Sequence, residues 1–297
     1  MRYIIPISGK DSLATALVQL KLEPDLPYEY VFNPTGAELP EVFEWIDKVE
    51  KYLGKPIQRV GENLLELIEE YNYFLPNRNS RYCTRQCKIE PFEKWIGKED
   101  AIVYYGIRAD EDRGGYDNAR HPNIVPNYPL KTQGLGIDEV YQVLNDVGLK
   151  PPAFFWKEIY DAVCIKFGGE EIIKSILKEW QIDFLFCWRT RANCFFCFNQ
   201  MKREWVGLLI FHPELFEIAE KLEVSESIYY WNGKDYPLSK IRERADKIIQ
   251  AHIKKMVKII RLIRDSKWQQ IPLFDLASED GFNDFFKTTS CGLFCGK

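Results

Sequence analysis

The chain has 297 residues, 46% of them hydrophobic and 14% aromatic, which supplies a large buried core and excludes a disordered polypeptide. A formal net charge of −4 excludes a global positive field of the kind that holds a polyanion, leaving only a local basic patch for that purpose. The opening apolar run breaks into Gly9, Lys10 and Asp11 too early for a signal peptide or a membrane span, so a cytoplasmic protein with no membrane association is expected.

Residues 3–7 read as a buried strand, and the turn Ser8-Gly9-Lys10-Asp11-Ser12 leads into a helix over 13–20. A second strand is expected over 28–32. A helix over 41–53 then places Val42, Trp45, Ile46 and Val49 on one face. A short strand over 57–60, a helix over 63–73 and a strand over 101–107 follow. This alternation predicts an α/β fold: a twisted, mostly parallel sheet with helices on both faces. Beyond Tyr128 the strand signal fades, and helices are expected over 137–147, 156–167, 170–181, 201–222 and 238–266. The expected division is therefore a nucleotide-binding α/β domain over 1–130 and a mainly helical part over 131–297. The latter ends in a tail over 278–297 that is able to move.

Three stretches carry the case for a ligand. The Ser8–Ser12 turn lies between a strand and a helix, where backbone N–H groups and the positive helix end suit a phosphate; a tight structural turn is the plainer reading. Residues 33–41, Asn-Pro-Thr-Gly-Ala-Glu-Leu-Pro-Glu, follow the second strand and by themselves form a polar turn before a helix. Residues 106–113, Gly-Ile-Arg-Ala-Asp-Glu-Asp-Arg, follow a later strand. There Arg108 either faces a ligand in the crevice of an open sheet or pairs with Asp110, Glu111 and Asp112.

The eight cysteines are clustered, and without a secretory segment they point to metal ligation or thiol chemistry instead of a disulfide scaffold. Cys194 and Cys197 form a Cys-x-x-Cys pair, Cys187 is a short loop away, and Cys83 or Cys87 offers a fourth thiol. Arg189, Arg191, Lys202 and Arg203 favour thiolates in this region. Four thiolates suit zinc or an iron–sulfur cluster, and a set of buried reduced cysteines is the alternative. His121, His212 and His252 are isolated and read as structural.

Taken in order, these stretches resemble the phosphoadenylyl-sulfate (PAPS) reductase family of the PP-loop superfamily. Ser8-Gly9-Lys10-Asp11-Ser12 is one glycine short of that superfamily's Ser-Gly-Gly-x-Asp-Ser loop. Residues 33–41 are similar to its Asp-Thr-Gly…Pro-Glu segment, and residues 106–111 to its Gly-Ile-Arg-x-Asp-Glu segment. The resemblance implies a nucleotide, ATP or an adenylyl sulfate (PAPS or APS), held by Ser8, Gly9, Lys10, Asp11, Ser12, Thr35, Gly36, Lys88, Gly106 and Arg108, with Lys10, Arg108 and Lys88 neutralising its charge.

Residues 81–92, 194–200, 204–205 and 212–215 resemble a branch of PAPS reductase relatives that includes the DNA phosphorothioation enzyme. That likeness implies a 4Fe-4S cluster on Cys187, Cys194, Cys197 and Cys83, with Cys87 the alternative fourth ligand and zinc the alternative metal; Arg85 would join Lys88 at phosphate or sulfate. Residues 287–295 are similar to the family's C-terminal Lys-Thr-x-Cys-Gly-Leu-His element, with Phe294 in place of the His and an additional Cys295. Cys291 is then the thiol that attacks sulfur, catalytic together with Lys10 and Arg108; a resolving disulfide of Cys291 with Cys295 is the other reading.

The implied activity is sulfur transfer or sulfonucleotide reduction on an adenine nucleotide. Its expected partners are a cysteine desulfurase or a thiol reductant, a nucleic-acid substrate and a second copy of the chain. The competing reading is a non-catalytic nucleotide-sensing module with structural zinc.

Overall fold

The computed structural model describes residues 1–112, 114–191, 194–223, 230–231 and 236–265. These form two compact units, one built on Met1–Pro152 and including Cys194, the other made of Ala153–Arg191 and the residues from Phe195 onward.

The first unit is a five-stranded, all-parallel sheet: β1 (Arg2–Pro6), β2 (Tyr28–Phe32), β3 (Ile57–Arg59), β4 (Ala101–Tyr104) and β5 (Ile124–Asn127), in the order β3-β2-β1-β4-β5. Strand β1 is central, pairing Tyr3 with Tyr28 on one side and Ile4 with Val103 on the other. The helices are α1 (Lys10–Leu22), α2 (Pro40–Leu53), α3 (Leu64–Glu70), α4 (Tyr82–Thr84) running into a π-helical turn over Arg85–Ile89, α5 (Glu90–Ile96), α6 (Pro129–Thr132) and α7 (Ile137–Val147). Helix α1 is buried along most of its length, from Leu13 through Gln19. Helix α2 buries Val42, Trp45, Ile46 and Val49, as its periodicity predicts, and the Trp45 indole donates to the Leu149 carbonyl at 3.1 Å.

The α/β expectation holds, and several boundaries change. Strand β5 is additional to the expected strands; it is a four-residue edge strand containing Pro126, which an edge tolerates because one side of its backbone needs no ladder partner. Strand β4 ends at Tyr104 instead of continuing to residue 107, and α3 stops at Glu70 instead of 73, where Asn72 and Tyr73 take positive φ angles.

The second unit holds α8 (Lys157–Phe167), α9 (Glu170–Ile176), α10 (Glu179–Leu185), α11 (Lys202–Phe211), α12 (Pro213–Leu222), α13 (Leu238–Glu243) and α14 (Ala245–Asp265). Three segments expected as single helices are each broken in two. The 170–181 helix stops where Leu177 and Lys178 turn extended. The 201–222 helix breaks at His212, because a residue before proline is pushed out of the helical region and Pro213 restarts the chain as a first-turn residue. The third breaks at Arg244, which leaves helical geometry at φ −108° and ψ 13°. No helix among the described residues is long and apolar enough to cross a membrane.

Candidate functional site

The sheet reverses direction beside β1: the chain builds β2 and β3 to one side, then crosses over to lay β4 and β5 on the other. In open parallel sheets ligands sit outside the carboxyl ends of the strands at such a reversal. Both glycine-containing loops of interest leave the sheet there, residues 7–9 from β1 and residues 105–110 from β4.

The first loop is closed by its own serine. Ser12 Oγ accepts from the amides of Ser8 at 2.9 Å and Gly9 at 3.0 Å, and donates to the Gly9 carbonyl at 2.9 Å. The amides of Lys10, Asp11 and Ser12 form the first turn of α1, where no intrahelical carbonyl precedes them, so they and the helix dipole provide the anion-attracting end. Lys10 Nζ lies 2.9 Å from Asp11 Oδ2, its side chain about one-quarter exposed at 26%.

The second loop packs directly on the first. A Cβ on Gly106 would stand 2.7 Å from both the Asp11 carbonyl carbon and the Ser12 nitrogen, so only glycine admits this approach. Arg108 is 2% exposed. Its Nη1 meets Asp11 Oδ1 at 3.0 Å and Glu111 Oε1 at 3.3 Å, its Nε meets Asp110 Oδ1 at 2.8 Å, and its own amide donates to Glu111 Oε2 at 3.2 Å.

Three carboxylates therefore surround Arg108. Burial would push its pKa down, but Asp11, Glu111 and Asp110 outweigh it, and the guanidinium is held charged. Burial likewise pushes the Asp11 carboxyl up, and Lys10 and Arg108 together overcome that, leaving it below the ordinary aspartate range. Arg108 thus clamps the aspartate of the first loop across 97 residues of sequence. The ion pairing expected of it from sequence is present, and it is made in a buried place instead of at the surface.

The loop after β2 is rigid for a different reason. Thr35 donates its amide to both Glu38 carboxylate oxygens at 3.0 and 2.9 Å and its hydroxyl to Glu38 Oε1 at 2.9 Å. Thr35 and Glu38 stand in the Thr-x-x-Glu spacing of a capping turn, the sequence signal that could have assigned Glu38 its part. Gly36 takes φ 72°, a left-handed conformation that favours glycine. Cys194 Sγ lies 3.0 Å from Thr35 Oγ1. Because the Thr35 hydroxyl already donates to Glu38, the thiol is the donor in that contact.

Lys88 is half-buried in the π-helical turn, a rare geometry that recurs at functional sites. Cys87 in the same turn is fully buried; burial first, then the neighbouring Cys83, push its thiol up to about 12. Cys83 is half-buried. Arg85 is exposed and pairs with Glu90 at 2.6 Å, and His121 faces Glu93 at 3.2 Å.

In the second unit, Cys187 is buried, donates its thiol to the Phe184 carbonyl at 3.1 Å and is pushed up to about 11 by burial. Cys197 sits on a turn anchored by Gln200, whose amide donates to the Cys197 carbonyl at 3.0 Å and whose side chain accepts from Arg189 at 3.2 Å. Glu204 braces the same turn, accepting from the Thr190 amide and hydroxyl at 2.8 and 2.6 Å and from the Met201 amide at 2.8 Å.

Cys83 and Cys194 belong to the first unit and Cys187 and Cys197 to the second, so neither unit alone holds the expected ligand set. Among the described residues no group of three His, Cys, Asp or Glu side chains is placed to hold a metal ion. Cys291, Cys295 and Arg113 lie outside the described residues.

A parallel sheet with its reversal beside the central strand, a strand-loop-helix turn at that reversal and a second glycine loop pressed on it define an α/β fold of the nucleotide-binding kind. Residues 2–124 match the model of the phosphoadenosine phosphosulfate reductase domain. Two uncharacterized proteins of Methanocaldococcus jannaschii are similar over most of the chain. One is 29% identical over 245 residues, covering 76% of this chain and 45% of its own length; the other is 31% identical over 261 residues, covering 80% and 54%. The chain thus spans about half the length of the curated relatives it matches. The solved PAPS reductase of Candida auris, a phosphate complex, aligns with a TM-score of 0.41 at 14% identity, over 51% of this chain and 75% of that one.

Proposed function

We propose that the chain is a sulfonucleotide-related enzyme that binds an adenine nucleotide at the amino end of α1 and acts on it in sulfur transfer or reduction. One observation carries the reading: the Gly106 loop packs so closely on the α1 first turn at the reversal of strand order that an added Cβ would stand 2.7 Å from the Asp11 carbonyl carbon and the Ser12 nitrogen. The family match over residues 2–124 supports the choice of nucleotide.

The chain's own residues divide the work. The first-turn amides of α1 take the phosphate oxygens, and Lys10, released from Asp11, adds the mobile positive charge. Arg108 acts through Asp11 as a positioning residue; it fixes the loop and leaves charge neutralisation to Lys10 and to Lys88. Thr35 and Gly36 shape the neighbouring wall, with Glu38 locking Thr35. Cys291 is the proposed nucleophile. Its thiolate attacks the sulfonate sulfur, an S–S bond forms as the S–O bond to the nucleotide breaks, and the electron pair leaves with the phosphate. A thiol reductant then releases sulfite and takes up the oxidation as a disulfide.

The test is equilibrium binding of ATP and PAPS, followed by pyrophosphate and sulfite assays with each. Lys10→Ala is expected to weaken nucleotide binding by at least about tenfold, the worth of one charge-assisted hydrogen bond. Cys291→Ser is expected to abolish sulfite formation while sparing binding. Failure to bind either nucleotide, or wild-type affinity in Lys10→Ala, refutes the proposal; full sulfite production by Cys291→Ser removes that thiol from it.

A further inference from the structure

Helix α14 is the longest helix described, and its two faces differ in kind. Its buried face is formed by His252, Ile253, Met256, Val257, Ile259 and Ile260. Its exposed face carries Lys247, Lys254, Lys258 and Arg261, at spacings of seven, four and three residues that keep all four on one stripe. Lys247 and Arg261 are about 21 Å apart along the axis at 1.5 Å per residue. The helix holds six Lys or Arg against Asp246 and Asp265.

The stripe continues past the amino end of the helix. Arg244, one turn before Lys247, brings Nη1 to 3.5 Å from the Tyr236 hydroxyl. Around the same ring, Lys202 Nζ lies 3.2 Å from the centroid and Lys240 Nζ 5.1 Å. Lys202 first, then Arg244, hold the Tyr236 hydroxyl below its ordinary range, a sign of the local positive potential. Arg242 is not part of this group, because it is engaged by Glu220 at 2.8 Å.

Like charges gathered in this way raise the local positive potential and attract an anion. An anionic membrane is the weaker match, since the apolar face of α14 is already buried within the second unit and has nothing to insert. A phosphodiester backbone, a line of evenly spaced charges alongside a tolerant aromatic ring, matches the stripe in length and sign.

We propose that the exposed face of α14, together with the Lys202, Tyr236, Lys240 and Arg244 cluster, binds the phosphate backbone of a nucleic acid. Binding here does not depend on nucleotide binding by the first unit.

The experiment is fluorescence anisotropy with labelled single-stranded RNA, single-stranded DNA and duplex DNA across a salt series. It compares the full chain with a Lys247→Gln, Lys254→Gln, Arg261→Gln triple variant. Wild type is expected to bind at low salt, and the triple variant to bind at least about tenfold more weakly. Its duplex salt slope should be shallower by about 3, since each neutralised phosphate adds roughly 0.9 to the slope. A single Lys254→Glu variant should weaken binding in the same direction, and unchanged thermal midpoints in both variants establish that the fold is intact. ATP affinity, measured on the same triple variant, is expected to match wild type, so failure here is distinguishable from failure of the nucleotide site. No binding to any of the three oligonucleotides, equal binding by wild type and variants, or tighter capture by phosphatidylserine vesicles than by nucleic acid overturns the proposal.

Discussion

Replacing Gly106 by alanine tests the packing on which the candidate site rests. The added methyl carbon would lie 2.7 Å from the Asp11 carbonyl carbon, 2.7 Å from the Ser12 nitrogen and 2.8 Å from the Asp11 oxygen. All three are backbone atoms of the α1 first turn, so no side chain can swing aside and one loop must move. Overpacking of this kind costs about 1 to 3 kcal/mol. For a unit of this size each kcal/mol lowers the midpoint by about 2 to 4 °C, so a fall of roughly 2 to 12 °C is expected.

Gly9→Ala is the matched control, because no atom lies within 4 Å of a Cβ there and its φ of 177° suits any residue. It should unfold within about 2 °C of wild type, since unconstrained surface changes rarely exceed about 0.5 kcal/mol, yet on the proposed function bind nucleotide less well because its methyl group enters the space left for the ligand. Thermal unfolding followed by circular dichroism, paired with ATP titration calorimetry, reads both effects. Wild-type stability in Gly106→Ala, or a larger stability loss in Gly9→Ala, would refute the loop-on-loop packing.

Arg108→Gln removes the buried guanidinium from Glu111 and leaves Asp11 with Lys10 as its cation, and is expected to cost about 3 to 5 kcal/mol by urea unfolding. The Asp11 pKa lies below its unfolded value, so its contribution is present above about pH 4 and is lost as pH falls through the folded value. Removing Arg108 should therefore move acid unfolding to higher pH. An unshifted acid limb would show that the pair does not stabilise the loop. His252 is held well below its ordinary pKa by burial first and then by Arg203 and Lys255, so the unfolded chain takes up its proton before the folded one. Stability should be complete above about pH 6.5 and decline below it, and His252→Gln should flatten that decline in urea midpoints measured across pH.

The strand-loop-helix opening was legible because its signals are local: a run of β-branched and aromatic residues, a polar turn, then a helix-forming stretch. The amphipathic pattern of α2 named its buried residues for the same reason. Edge strand β5 escaped because four residues with a proline among them carry too little periodicity to separate from a loop. The Pro213 break carries a local signal, a proline inside the run, although the segment reads as one helix by periodicity; the breaks at Leu177 and Arg244 carry no such punctuation.

The environment of Arg108 was the least legible part. Its motif announces an arginine after a strand, but its decisive partner Asp11 belongs to another motif, and only the parallel pairing of β1 with β4 brings the two together. The cysteines were legible as a cluster along the chain. Their individual environments, from the fully buried Cys87 to the half-buried Cys83, were not.

The serine at the base of the first loop has a consequence for how an anion would arrive on the proposed function. Ser12 already occupies the Ser8 and Gly9 amides with its own oxygen, as a resident surrogate for a guest. An incoming phosphate must either stop at the helix mouth beyond them or displace the hydroxyl by rotation about one bond. The loop is thereby held in shape by its own oxygen, and on the proposed function only the second route exchanges one oxygen for another.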